Sequence, residues 1–346
     1  MFNSKNVLFY IVGAAVIITG SYLATQYKKT LEPDDEYDLI KKYLLNDSPL
    51  YGYNRPKIWI HSKYEINSRK WKDFYSRNTT DLNQPYIHLT IKTIINHCGS
   101  DFNVCLIDDE TFSKLIPSWD VDLTSMAEPM KSHFRQLGMA QLIYYYGGMV
   151  VPNSFCCIKN LSEFYKQGTD GNRAFFCEAI NRTVNNMHQK RKYLFLPDMY
   201  FMGALKNNEC ILELVEYLKK ICKNPHFSSE VDFRGDVSNW LLDAHRGQHI
   251  NLIGGEVIGV KSADRKQILL ENLMEEEFLN VHDSLVGIYI PEDEILIRPK
   301  FQWFAAMSSE EILKTKCIIS KYLMASIVDS TSEYYKSSEI KSVVSI

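Results

Sequence analysis

From Asn6 to Tyr27 the chain carries no charged residue, and Val7 to Ile18 holds nothing but apolar side chains, one tyrosine and one glycine. Coiled as a helix, that span reaches roughly 33 Å at about 1.5 Å per residue, enough to cross a hydrocarbon core. It has no polar face, unlike a helix packed on a soluble core. Tyr10, Tyr22 and Tyr27 are placed for the two membrane interfaces. A cleaved signal peptide is the alternative, and it calls for a more basic start, a shorter apolar stretch and a small-x-small cleavage site. The pattern therefore predicts a retained single-pass anchor over 6–27. A charged stem over 28–54 follows, with a helical stretch from Tyr37 to Leu45 closed by Asn46-Asp47-Ser48-Pro49.

The folded body is expected over 55–325. Lys57 to His61 is a short apolar run suited to a buried strand, and Phe102 to Ile107 is a second. Asp108 is positioned to cap a helix over Glu110 to Ile116. Glu128 to Tyr146 reads as a long helix with Pro129 in its first turn and Gly147-Gly148 ending it. Its apolar positions are Phe134, Leu137, Leu142 and Tyr145. Met149-Val150-Val151 is then a strand halted by Pro152, so helix, glycine pair and strand form an α/β unit whose strand end faces a ligand crevice. Further strands are expected at Ala174 to Ala179, Tyr193 to Leu196 and Val286 to Pro291. Amphipathic helices are expected at Asn208 to Lys220 (Cys210, Leu214, Tyr217 and Leu218 inward) and Val237 to His245. Ile295 to Phe304 and a helix from Ser309, capped by Ser308-Ser309, complete the body. The Ser-rich end, 326–346, reads as a flexible tail.

Composition narrows the function classes. Lys and Arg total 39 against 42 Asp and Glu, so nothing asks for a nucleic-acid partner. Lys190-Arg191-Lys192 is the densest basic cluster of the body and reads as a solvated loop or helix end. The eight cysteines contain no C-x-x-C pair, which argues against a zinc site and leaves the redox compartment open. Cys156 and Cys157 are adjacent and would face opposite sides of a strand. Asn-x-Ser/Thr triplets at Asn46, Asn78, Asn160 and Asn181 fit a lumenal domain without requiring one. Lys5 before the anchor and Lys28-Lys29 after it barely separate the two orientations.

The segment FRQLGMAQLIYYYGGMVVPNSFCCIKNL, ending at Leu161, resembles the DXD-type glycosyltransferase family, which includes yeast initiating mannosyltransferases and capsular polysaccharide transferases. In that family a helix S-D-x-x-R-x-x-x-L-Y-x-Y-G-G leads into a strand ending D-x-D. Pro56 to Trp59 is similar to the family's opening strand, Leu106 to Asp109 to its second strand and turn, and Tyr200 to Ala204 to a later segment. The resemblance spans roughly residues 55–320. It implies a GT-A fold, a Rossmann-like α/β sheet that binds a nucleotide-sugar donor, with Mn²⁺ or Mg²⁺ held against the diphosphate by the two aspartates. A glycan or protein acceptor and a secretory-pathway location, Golgi or ER, would go with it.

The sequence departs from that pattern at the chemistry. The two Asp positions fall on Pro152 and Ser154, with Asn153 between, and the helix Asp and Arg fall on Gln136 and Met139. A hard dication needs oxygen ligands, normally with one or two carboxylates, so no metal is expected here. Donor-binding candidates are His61, Arg135, Gly147, Gly148, Asn153 and Ser154. Arg135 sits one helical turn before Met139 and could take a diphosphate bidentately, with Lys159 just past the strand end. Candidate bases near an acceptor hydroxyl are Asp198 and Asp236, with Asp232 a third. The expectation is a membrane-anchored, glycosyltransferase-like protein that transfers sugar without a DXD-bound metal, or a catalytically inactive relative kept for binding or scaffolding. An unrelated α/β domain is the third reading.

Overall fold

The computed structural model describes residues 55–62, 84–179, 195–223 and 230–328. The anchor, the stem, the sequons at Asn46, Asn78 and Asn181, the basic run at Lys190, and the Asp232 side chain lie outside the described residues. So does the tail beyond residue 328. Among the described residues no helix is long and apolar enough to cross a membrane.

The chain opens on β1 (Lys57–His61), whose Ile58, Trp59 and Ile60 are fully buried, as a strand covered on both faces requires. Helix α1 (Tyr86–Cys98) returns the chain to β2 (Asn103–Ile107), parallel to β1. The short α2 (Thr111–Leu115) starts where Asp108 Oδ1 accepts hydrogen bonds from Thr111 N at 2.9 Å and Thr111 Oγ1 at 2.6 Å, so Asp108 closes the turn as expected. Helix α3 (Met130–Tyr146) buries Leu137, Met139, Ala140, Leu142 and Ile143, while Phe134 and Tyr145 pack only partly.

Strand β3 (Gly148–Val150) lies parallel to β1 on the side away from β2. Both glycines are sterically required there. Gly147 ends α3 with φ +71°, and Gly148 has φ +97° with any Cβ falling 2.2 Å from the Lys57 carbonyl oxygen. No L side chain with a Cβ fits between the two strands at that point.

Beyond β3 come β4 (Phe155–Cys157), α4 (Ser162–Gly168), β5 (Ala174–Glu178) and β6 (Pro197–Ala204). Of the strand expected at Tyr193 to Leu196, residues 193 and 194 lie outside the described residues and 195 and 196 are not in a strand; β6 runs from Pro197 through Ala204. Helices α5 (Glu209–Lys223) and α6 (Glu230–Arg246) precede β7 (Ile250–Ile253). After α7 (Leu270–Met274) and β8 (Gly287–Tyr289), the stretch from Ile295 to Phe304 is helical, divided among α8 (Glu292–Ile297), a 3-10 turn and α9 (Gln302–Ala306). Helix α10 (Ser309–Lys314) carries the expected Ser308 cap, reciprocated by Glu311. Helix α11 (Ile318–Val328) runs past the expected end of the body at 325 and packs on α1 and β4.

The main sheet has the order β2-β1-β3-β6-β5-β7, and β4 pairs with β8 in a separate antiparallel ribbon. The three parallel strands β2-β1-β3 form a doubly wound half. Strands β6 and β5 run antiparallel to their neighbours, except that β5 and β7 are parallel. The chain leaves β1 toward β2 and comes back to β3 on the other side, so the β1/β3 boundary is a topological switch point. Loops at the carboxyl ends of the two strands diverge there and leave a crevice.

Candidate functional site

A cleft opens at that switch point. From β1 it takes His61, from α3 Ser132, Arg135, Gln136 and Met139, and from the end of β3 Val150 to Asn153. Met199 and Tyr200 of β6, Tyr289 of β8 and the first two residues of α8, Glu292 and Asp293, close it. The four positions Gln136, Met139, Pro152 and Asn153, spread over α3 and the turn after β3, therefore meet in one cavity. All four side chains are neutral.

The basic groups of the lining are turned onto a carboxylate. Arg135 Nε and Nη2 each donate to Asp109 at 2.7 Å, and Nη1 donates to Glu128 Oε1 at 3.0 Å. His61 Nε2 lies 2.9 Å from the same Asp109, its ring stacked on Phe112, and Lys131 Nζ is 3.7 Å away. Burial would raise the Asp109 carboxyl, but the hydrogen bonds from Arg135 and His61 outweigh it and hold the group well below the usual carboxylate range. Sequence reasoning turned Arg135 toward a diphosphate; its guanidinium is bidentate to Asp109 instead.

The turn after β3 offers few ligands. Asn153 lines the cleft, and its backbone carbonyl accepts from Thr90 Oγ1 of α1 at 2.5 Å. Ser154 is fully buried and does not line the cleft; its carbonyl accepts from Ile290 N at 3.1 Å. Its hydroxyl has no hydrogen-bond partner among the described residues. Proline has no side-chain donor atom, so this turn alone cannot build the oxygen cage a dication needs. No group of three or more His, Cys, Asp or Glu among the described residues is placed to hold a metal ion.

The other candidates scatter. Gly147 and Gly148 shape the backbone, and the Gly147 carbonyl accepts from Trp59 Nε1 at 3.0 Å. Asp198 is buried and does not line the cleft; it is paired with Arg234, whose guanidinium also lies 5.0 Å from the Tyr200 ring centre. Asp236 is exposed on α6 and away from the cleft lining. Lys159 Nζ donates to the Asp283 carbonyl at the surface, 2.9 Å away, and does not line the cleft. Asn160 serves as a cap: its Oδ1 accepts from Ser162 N at 2.8 Å and its Nδ2 donates to the His97 carbonyl, also at 2.8 Å.

Two carboxylates and two tyrosines of the lining escaped the sequence reading. Glu292 and Asp293 follow directly on a strand that was recognised, Val286 to Pro291, and acids at a strand's carboxyl end were the available signal. They also act on their surroundings. Buried Tyr86 is pushed well above the usual phenol range, first by burial and then by the charges of Glu292, Tyr289 and Asp293.

No protein-family profile and no characterised protein matches this sequence. Among solved structures, the chain is similar to the apo-form glycosyltransferase GlyE of Streptococcus pneumoniae TIGR4, at 9% identity and a TM-score of 0.34. That match covers 58% of this chain and 46% of GlyE, so the chain spans less than half of that protein's length. A second similar structure is the PaToxG glycosyltransferase, at 14% identity and a TM-score of 0.31, covering 62% of this chain and 83% of that one.

Proposed function

We propose that this is a membrane-anchored, glycosyltransferase-like protein whose cleft takes a sugar ligand without a cation held at the Pro152-Asn153-Ser154 turn, and that it binds rather than transfers. One observation carries the reading. Three of the four positions where the family carries charge line the switch-point cleft as neutral Gln136, Met139 and Pro152, and the fourth, Ser154, is neutral and buried out of the lining. Basic side chains of the lining face Asp109, and the remaining charged ones, Glu292 and Asp293, are acidic. Among the described residues, a diphosphate meets a wall that is neutral to negative.

A sugar meets suitable chemistry there. Tyr200 and Tyr289 supply apolar ring surface with polar tips. Asn153 supplies amide donors and acceptors. Gln136 Nε2 is buried without a hydrogen-bond partner among the described residues, a donor whose desolvation is uncompensated until a ligand oxygen arrives. The uncharged run over 6–27 supports the anchor, and the family resemblance supports a secretory-pathway location. Glu292 and Asp293 favour a second reading, transfer to an acceptor hydroxyl, because a carboxylate in the cleft is what a general base requires.

The test is calorimetry on the full-length chain in detergent, with neutral oligosaccharides and with UDP- and GDP-sugars, each with Mn²⁺ and with chelator. Saccharide binding indifferent to chelator, with no release of nucleotide from the sugar nucleotides, is the expected result. Turnover of a sugar nucleotide would establish the second reading, and binding that chelator abolishes would refute the cation-free cleft.

A further inference from the structure

Cys98, the last residue of α1, and Cys157, the last of β4, place their sulfurs 3.9 Å apart although 59 positions separate them in sequence. Both are fully buried. A disulfide requires the sulfurs to close to about 2.05 Å with the two Cβ atoms about 3.8 Å apart, a change that side-chain rotation supplies when the backbones are already in contact. Here α1 and β4 pack directly on each other. Cys157 N donates to Thr93 Oγ1 of α1 at 2.9 Å, and just past β4 Asn160 Nδ2 donates to the His97 carbonyl near the end of α1 at 2.8 Å. The Cys157 carbonyl is fixed from a third side by Ser326 Oγ of α11.

We propose that Cys98 and Cys157 are a modification site, joined by an intramolecular disulfide when the chain meets a disulfide oxidant of the glutathione type. The Cys98 thiolate attacks one sulfur of the oxidant and releases one small thiol. The Cys157 thiol, losing its proton, then displaces the second small thiol from the mixed disulfide. Two protein thiols and one small disulfide become one protein disulfide and two small thiols, and two electrons pass to the oxidant. The division of roles follows the surroundings: the hydrogen bond from Cys157 lowers the Cys98 thiol, against the opposing effect of burial, whereas burial raises Cys157. Access comes at the end of α1, where Gly99, Ser100 and Asp101 are exposed and fraying of one helical turn uncovers Cys98.

The consequence reaches the cleft. Helix α1 already holds the turn after β3 through Thr90 and the strand after that turn through Thr93. A covalent bond at the helix end locks turn and helix into one body, whatever ligand the cleft takes.

The experiment treats the full-length chain with oxidised glutathione or with dithiothreitol, caps free thiols with N-ethylmaleimide, and maps crosslinked peptides by mass spectrometry without reduction. The expected result is a Cys98–Cys157 crosslink in the oxidised sample and a melting temperature about 5–10 °C higher than in the reduced one, from the closed loop of some sixty residues. C98S and C157S lose the shift, and C156S keeps it because its side chain leaves the opposite face of β4. A wild-type chain with Cys98 and Cys157 both capped at every glutathione ratio, a crosslink to another cysteine, or a shift that survives in C98S overturns the proposal.

Discussion

Substitution of Arg135 by Met tests the electrostatic anchor of the cleft. The Arg135 side chain is 7% exposed and its Asp109 partner 19%, joined by two hydrogen bonds of 2.7 Å. Removing the guanidinium leaves a half-sheltered carboxylate facing only His61 and a more distant Lys131. Breaking a buried pair from one side costs about 3–5 kcal/mol, and partial exposure of Asp109 argues for the lower end, about 3 kcal/mol. For a body of this size that is a fall in Tm of about 6–9 °C, read by differential scanning calorimetry. Removing the stranded charge as well, in R135M/D109N, is expected to recover part of the loss. The acid dependence has a definite sign. Asp109 is held below its ordinary value in the folded chain, so its contribution is present above the unfolded carboxyl value near 3.9 and is lost only as pH falls through the depressed folded one. The gap between wild type and R135M therefore narrows as pH falls below about 4, where the carboxylate protonates in the unfolded chain. A gap smaller than about 0.5 kcal/mol at pH 7, or one that persists undiminished to about pH 2, would refute the pairing as a source of stability.

Other substitutions probe neighbouring parts of the fold. Gly148→Ala forces a Cβ to within 2.2 Å of the Lys57 carbonyl oxygen at φ +97° and should cost several kcal/mol in urea unfolding, enough to lose folded protein on expression. Ser308→Ala removes the hydroxyl that accepts from Glu311 N and should cost about 1 kcal/mol in the same assay, with no effect on ligand binding. The double substitution P152D/S154D, which rewrites the turn as D-x-D, should gain no Mn²⁺ affinity by calorimetry and should lower the Tm.

The parts of the fold that were legible are those with strong local signals. Lys57 to His61 is a strand because Ile58, Trp59 and Ile60 have no polar position to show to water, and a run of that kind reads directly as a buried parallel strand. Gly147-Gly148 was legible because a glycine pair after a long helical pattern has few other uses. Strand β6 was not read over its full length because Pro197 and Asp198 carry no strand signal of their own, whereas they pair at its start with Glu178 and Cys177 next to a bulge. The pairing of Arg135 was not legible for a different reason. Its partner Asp109 lies 26 positions earlier, on the loop after β2, and no spacing rule links residues that meet only through sheet order. Glu292 and Asp293 were passed over for the same cause, since only the β4–β8 pairing brings that segment to the cleft.

Those distant contacts also explain why the turn after β3 is not a D-x-D awaiting two substitutions. Ser154 lies behind the turn, fully buried, with its carbonyl bonded to Ile290 N. An aspartate there would be a buried carboxylate without a cation, which either costs several kcal/mol or stays protonated, and in neither state does it ligate a metal in the cleft. At Pro152 a new carboxylate would join Glu292 and Asp293 in the same cavity. Like charges that share one cavity repel each other at the low effective dielectric of a sheltered site. Neutrality at Pro152 and Ser154 therefore goes with the acids of α8 and with the packing of β4 against β8. Restoring cation chemistry to this cleft would require repacking the segment behind the turn as well as rewriting the turn.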